Sequence, residues 1–172
     1  MKYIVLAALF LIIASCTATQ RQSLQARPPH CHTQSGLPDA SCTPGAVFSN
    51  ATVAQICKAG YAQSVRNVSQ AEKDKVFAEY GIAQHPTGSY EIDHEVSLEL
   101  GGSNDIRNLW PEAASPKPGF HEKDQVEGYL HVQVCSGKMA LKQAQTAIAT
   151  NWKQFLNNSA GYKITSSEEG TP

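Results

Sequence analysis

Four things are missing from this chain, and each absence narrows what it can be. There is no basic excess: 14 Lys and Arg stand against 15 Asp and Glu, a formal charge of −1. Proteins that hold DNA by non-specific attraction are usually basic, so stable retention of nucleic acid is disfavoured. An enzyme that binds, cuts and leaves is still allowed. No Cys-x-x-Cys pair occurs, which removes a zinc knuckle of ordinary spacing. Beyond the N-terminal stretch no apolar run could span a membrane. No internal repeat is present, so a repeat architecture is excluded. What is there is an ordinary soluble composition over 172 residues, enough for one domain with a modest core.

Residues 1–16 have the form of an export signal of lipoprotein type. Lys2 supplies the positive start, and the apolar run from Tyr3 to Ala14 is too short for a comfortable membrane span. Ile13-Ala14-Ser15-Cys16 resembles the lipobox of bacterial lipoproteins, which makes Cys16 the lipidation candidate and a membrane anchor. Ordinary cleavage nearby, for instance after Ala18, is the alternative. Either route exports the protein, to the cell envelope as a lipid-anchored periplasmic protein or as a secreted one. Cys31, Cys42, Cys57 and Cys135 then remain, and an even count in an exported chain suggests two disulfides, with three possible pairings. His30-Cys31-His32 lies in a Pro-rich segment without a matching partner, so a disulfide-tethered loop is favoured there over a metal cluster.

Residues 17–35 read as a flexible tether, 36–157 as the folded domain and 158–172 as a flexible tail. Val53, Ile56, Cys57 and Tyr61 are spaced like a short amphipathic helix within 53–65. Ser69-Gln70-Ala71-Glu72 is a capping box that starts a helix at Gln70; Val76, Phe77 and Tyr80 form its buried stripe, and Gly81 stops it. From Tyr90 to Leu100 apolar and polar residues alternate, the mark of a half-buried strand or hairpin. Gly101 to Asp105 is turn chemistry, Asn108-Leu109-Trp110 the return strand, and the prolines from Pro111 to Pro118 a loop. Helices follow over 120–135 and 139–156, the first ended by Gly137.

Strand, turn, strand and helix make a ββα unit that carries Asp93 and His94 on its first strand, Asn108 on its second and His121 at the helix start. A neutral imidazole near pH 7 suits a general base, and a divalent cation can neutralise a scissile phosphate. Neighbouring strand residues point to opposite faces, so Asp93 and His94 can share one metal only at a bulge or a strand end.

The same stretch resembles the HNH (His-Me finger, ββα-metal) nucleases, and more closely a group of small exported bacterial HNH-type proteins. The likeness rests on Leu37-Pro38-Asp39, Cys42-Thr43-Pro44-Gly45, Asp93-His94, Leu100-Gly101-Gly102, Asn108-Leu109-Trp110-Pro111, Lys123-Asp124-Gln125-Val126-Glu127 and Val134-Cys135-Ser136-Gly137. It covers about residues 36–156, and the order and spacing carry more weight than any one motif. It implies an α+β domain with a ββα-metal hairpin-and-helix core surrounded by further helices. It also implies roles: His94 as base, Asp93 and His121 as ligands of Mg²⁺ or Mn²⁺, and Asn108 bracing the hairpin and orienting His94. The implied activity is endonucleolytic cleavage of DNA with little sequence preference, by a monomer. Glu95 and Ser97 depart from the pattern, where apolar residues and a proline are usual. A carboxylate there could repel phosphate or add metal affinity.

Two rivals use the same scaffold. One is a catalytically silent interaction module of the cell envelope; the other binds DNA without cutting it. His85 and His131 are expected to be structural, and Trp110 and Trp152 to be core residues. Glu127 and Asp124 are candidates to pair with Lys123 or to hold the helix dipole.

Overall fold

The computed structural model describes residues 30–162. The expected export signal with Cys16, the expected tether over 17–29 and the expected tail over 163–172 lie outside the described residues. Among the described residues no helix is long and apolar enough to cross a membrane.

The fold is mixed α+β. Three helices, α1 (Val53–Ile56), α2 (Tyr61–Val65) and α3 (Gln70–Glu79), precede a two-stranded antiparallel hairpin of β1 (Tyr90–His94) and β2 (Leu109–Ala113). Then come α4 (Phe120–Cys135), α5 (Leu141–Asn151) and α6 (Leu156–Ser159). The expected single helix over 53–65 is two, because Gly60 takes a positive φ of 77° between them. The start of α3 follows its capping box: Ser69 Oγ accepts from Glu72 N–H, and the Glu72 carboxylate accepts from Ser69 N–H. Val76 and Tyr80 of its stripe are buried, and Phe77 is half-buried.

The expected strand from Tyr90 to Leu100 stops at His94. Beyond it the chain turns and forms a 3-10 turn at Leu98–Leu100. The alternation misleads because Glu95, Val96, Ser97, Leu98 and Leu100 are all buried, so there is no wet face to match the polar positions. Asn108 makes the turn possible. Its Oδ1 accepts from Val96 N–H at 2.8 Å, and its Nδ2 donates to Val96 O and Ser103 O, each at 2.9 Å. Gly101 sits at φ 76°, and a Cβ on Gly102 would lie 1.7 Å from the Val96 carbonyl oxygen, so the Gly-Gly pair is required for the chain to cross here.

The return strand starts one residue later than expected and runs through Pro111, which pairs with Ile92. A two-stranded ladder leaves one edge of each strand unpaired, which is where a proline is tolerated. The single helix expected over 139–156 is α5, a 3-10 turn at Trp152–Phe155, and α6. The part of the expected tail over 158–162 is packed instead. Ser159 is buried, and Tyr162 covers Gly128 of α4 so closely that a Cβ there would lie 2.3 Å from its ring.

Two apolar clusters flank the hairpin. Ile56, Val96, Leu100, Val126, Leu130, Val134, Ile148 and Trp152 gather between α4 and α5. Val76, Tyr80, Leu109, Trp110 and the two half-cystines Cys31 and Cys42 gather under α3. Of the three possible pairings the fold uses Cys31–Cys42 and Cys57–Cys135. The first draws residues 31–35, part of the expected tether, onto the domain; Cys31 N–H also donates to Glu79 O. Two disulfides fit an exported protein.

Candidate functional site

Asp93 and His94 close β1, with Asp93 opposite Trp110 and His94 opposite Leu109 in an unbroken register. The pair therefore lies at a strand end, but no bulge turns both side chains to one side. They diverge. Asp93 meets α4, while the His94 ring meets Asn104, with Nε2 3.1 Å from Asn104 Oδ1. Asn104 Nδ2 donates to Val65 O, so Oδ1 is the accepting atom and the His94 proton sits on Nε2. Nδ1 keeps the lone pair. His94 is 3% exposed. Burial pulls its pKa down to about 4, with Asp93 and the Asn104 bond opposing. The imidazole is neutral at pH 7 and held in one orientation.

On the other side stands Lys123, from the first turn of α4, with no exposed surface. Its Nζ donates to Asp93 Oδ2 at 2.6 Å, to the His94 carbonyl at 2.8 Å and to Glu127 Oε1. An ammonium has three N–H donors, and here all three have oxygen acceptors. Burial works against the Lys123 charge, but Asp93, Glu127, Glu112 and Glu95 outweigh it and hold its pKa well above the usual value. Burial likewise opposes ionisation of Asp93, yet the Lys123 charge and bonds keep its pKa low. Glu127 goes the other way. Burial raises its pKa despite the Lys123 bond, with the Asp93 charge adding to the rise.

Glu95 and Glu112 complete the cluster. Both are buried, and neither carboxyl meets an N–H or O–H donor. Burial raises both pKa values, that of Glu95 to about 8. Glu112 touches Asp93 carboxyl to carboxyl, a contact that needs a proton on one of them. Burial places it on Glu112, which then donates to Asp93. The Glu95 departure from the sequence pattern is thus a buried group facing Lys123, not a carboxylate aimed at solvent.

His121 is not brought to this cluster. It precedes Lys123 by two residues, a turn of about 200° around the helix. It is exposed, with its ring 4.3 Å from that of Phe120. The ligand pair expected for Mg²⁺ or Mn²⁺ therefore does not fit. Asp93 Oδ2 is engaged by Lys123, Asp93 Oδ1 accepts from the His94 N–H at 2.6 Å, and His121 faces away. Among the described residues, the group of three potential ligands drawn within 4.8 Å of one another is Cys57, His131 and Cys135. Its two sulfurs are spent on each other in the disulfide.

Other expectations hold their places. Asn108 braces the turn beyond His94 as described above. Trp110 and Trp152 are core residues. His85 stacks on Phe77, and His131 Nε2 bonds the Ile56 carbonyl. Glu127, not Asp124, pairs with Lys123, and Glu122 takes the helix N-terminus through Gly119 N–H. The sequence carries no signal that marks Asn104 or Glu112 as part of this site. Asn104 sits in a stretch that reads as turn chemistry alone, and Glu112 lies where the prolines suggested a loop. Two surface clefts, of about 580 and 420 Å³, are lined by none of Asp93, His94 and His121.

The buried carboxyls carry a pH signature. Glu95 has a folded pKa raised to about 8 from an ordinary 4.5. Its stabilisation is present below pH 4.5 and is lost as pH rises through 8. His94, with a folded pKa lowered to about 4 from 6.5, acts in the opposite direction, costing stability as pH falls from 6.5 to 4. Glu95→Gln should therefore leave the melting temperature near its wild-type value at pH 5. At pH 9 it should raise stability by roughly 3 kcal/mol. Thermal melts of both proteins across pH 4 to 9 check this; parallel curves would refute it.

Compared with known proteins, the chain matches no family model, no curated protein and no solved structure.

Proposed function

We propose that this chain is an exported, disulfide-stapled interaction module of the cell envelope, built on a ββα-type hairpin and helix, whose nuclease-like residues serve the fold rather than a cleavage reaction. One observation carries this reading. Asp93 and His94 leave β1 on opposite sides, both under 10% exposed, while His121 stands outside with its ring against Phe120. Cleaving a phosphodiester needs a base and a charge-neutralising group that meet the same phosphate. Here the base and the carboxylate are separated by the strand and walled from a polymer substrate. The near-neutral charge also fits a module that does not depend on holding nucleic acid.

A second reading, an exported HNH-type endonuclease acting on DNA with Mg²⁺ or Mn²⁺, is favoured by the state of His94. Its imidazole is neutral, fixed by Asn104, and keeps a lone pair on Nδ1, with Asn108 bracing the turn beyond. Plasmid digestion separates the two. The purified chain, both disulfides formed, is incubated with supercoiled DNA and Mg²⁺, Mn²⁺ or EDTA, beside His94→Ala. The expected result is no metal-dependent nicking by a protein whose circular dichroism shows it folded. Nicking that needs metal and disappears in His94→Ala would replace the proposal with the nuclease.

A further inference from the structure

We infer that the Lys123 ammonium stands where the sequence places a divalent cation, so that the chain completes its centre with its own side chain and takes up Mg²⁺ or Mn²⁺ at Asp93 only when that side chain is removed. The inference rests on the non-cutting reading above and deepens it.

The donor count supports it first. Nζ meets three oxygens from three residues on two elements: the Asp93 carboxylate and the His94 carbonyl at the end of β1, and Glu127 one turn along α4. These are hard oxygen donors, the kind that hold Mg²⁺, Mn²⁺ and Ca²⁺. An ammonium uses the same oxygens through N–H bonds and saturates them. The gathering of carboxyls supports it second. Asp93 and Glu127 bond the ammonium directly. Glu95 and Glu112, both more than nine-tenths buried, add two carboxyls that accept from no N–H or O–H donor. Oxygen groups collected in this way suit a cation, and Lys123 supplies it covalently. The spacing supports it third. Lys123 and Glu127 are four residues apart on one helix face, which fixes the ammonium beneath the hairpin without help from solvent.

Removing the ammonium while keeping the stem apolar should expose the oxygens to an outside cation. Lys123→Met does this at nearly constant volume. The full chain, disulfides intact, is titrated with Mn²⁺ and followed by Mn²⁺ electron paramagnetic resonance and by broadening of the Asp93 and His94 amide signals. Wild type should show neither effect at about 1 mM Mn²⁺, and its melting temperature should not respond to Mg²⁺, Mn²⁺ or EDTA. Lys123→Met should melt lower and then gain about 4 to 8 °C with Mn²⁺ or Mg²⁺. Adding Asp93→Asn should abolish that gain.

Mn²⁺ bound beside Asp93 in the wild-type chain would overturn the inference. So would a folded Lys123→Met protein that ignores divalent cations. If Lys123→Met does not fold in either condition, the wild-type titration still decides. The two readings fail separately: metal-free cutting of DNA would remove the interaction module and leave this inference in place, whereas wild-type Mn²⁺ uptake at Asp93 would remove this inference whether or not DNA is cut.

Discussion

Lys123→Ala is expected to destabilise the protein by about 3 to 5 kcal/mol, the range for removing one partner of a buried ion pair. The loss has two parts. The stem, fully buried, leaves a void in the interior. The larger part is electrostatic. Asp93, only 9% exposed, would lose the ammonium that offsets its burial and holds its pKa down, and Glu127 would lose its partner on the same helix. Urea unfolding should show a lower midpoint with an unchanged slope. A double-mutant cycle sharpens the expectation. Asp93→Asn with Lys123→Met should cost clearly less than the two single changes added together, because two apolar or neutral groups need no mutual compensation. Additive losses would mean that the Lys123–Asp93 bond contributes nothing beyond volume.

The second large effect belongs to Cys57–Cys135. Its half-cystines are 78 residues apart, so the bridge ties the start of the domain to the end of α4 and encloses the hairpin. Constraint of the unfolded chain predicts a loss of about 4.5 kcal/mol when both cysteines become serine. Cys31–Cys42 spans a separation of only 11 and should cost about 3 kcal/mol by the same reasoning. Chemical denaturation of the two double-serine proteins, run without reductant, tests the order. A larger loss from the short loop would show that local packing, with Cys31 and Cys42 both buried in the α3 cluster, outweighs loop length.

Where the sequence carried a local signal, it placed structure accurately. The Ser69–Glu72 capping box started α3 at Gln70, because its two hydrogen bonds close within four residues. The apolar spacing from Phe120 and the glycine at 137 bounded α4. Asn108 was expected as a brace, and it holds the turn through three hydrogen bonds. The alternation from Tyr90 to Leu100 failed past His94. Period two reports a half-wet strand only when one face is wet, and here residues 95–98 and Leu100 are buried, with α4, α2 and α5 packed on the Leu98–Leu100 turn.

The candidate centre divides in the same way. Asp93, His94 and the Lys123–Glu127 pair are legible as residues, and the pair also as an i, i+4 contact. Their relation is not. A strand position fixes which side a residue takes relative to its neighbour, but not what packs against that side. The sequence by itself therefore determined an α+β chain with cysteines enough for two disulfides, a hairpin carrying Asp93-His94 and the helices around it. Only the tertiary structure decided that Asp93 and His94 part company, that His121 turns outward while Lys123 turns in, and how the four cysteines pair. Those choices depend on which buried surfaces α4 offers the hairpin. A buried charge must be met where it stands, and that place is set by contacts between residues far apart in the chain.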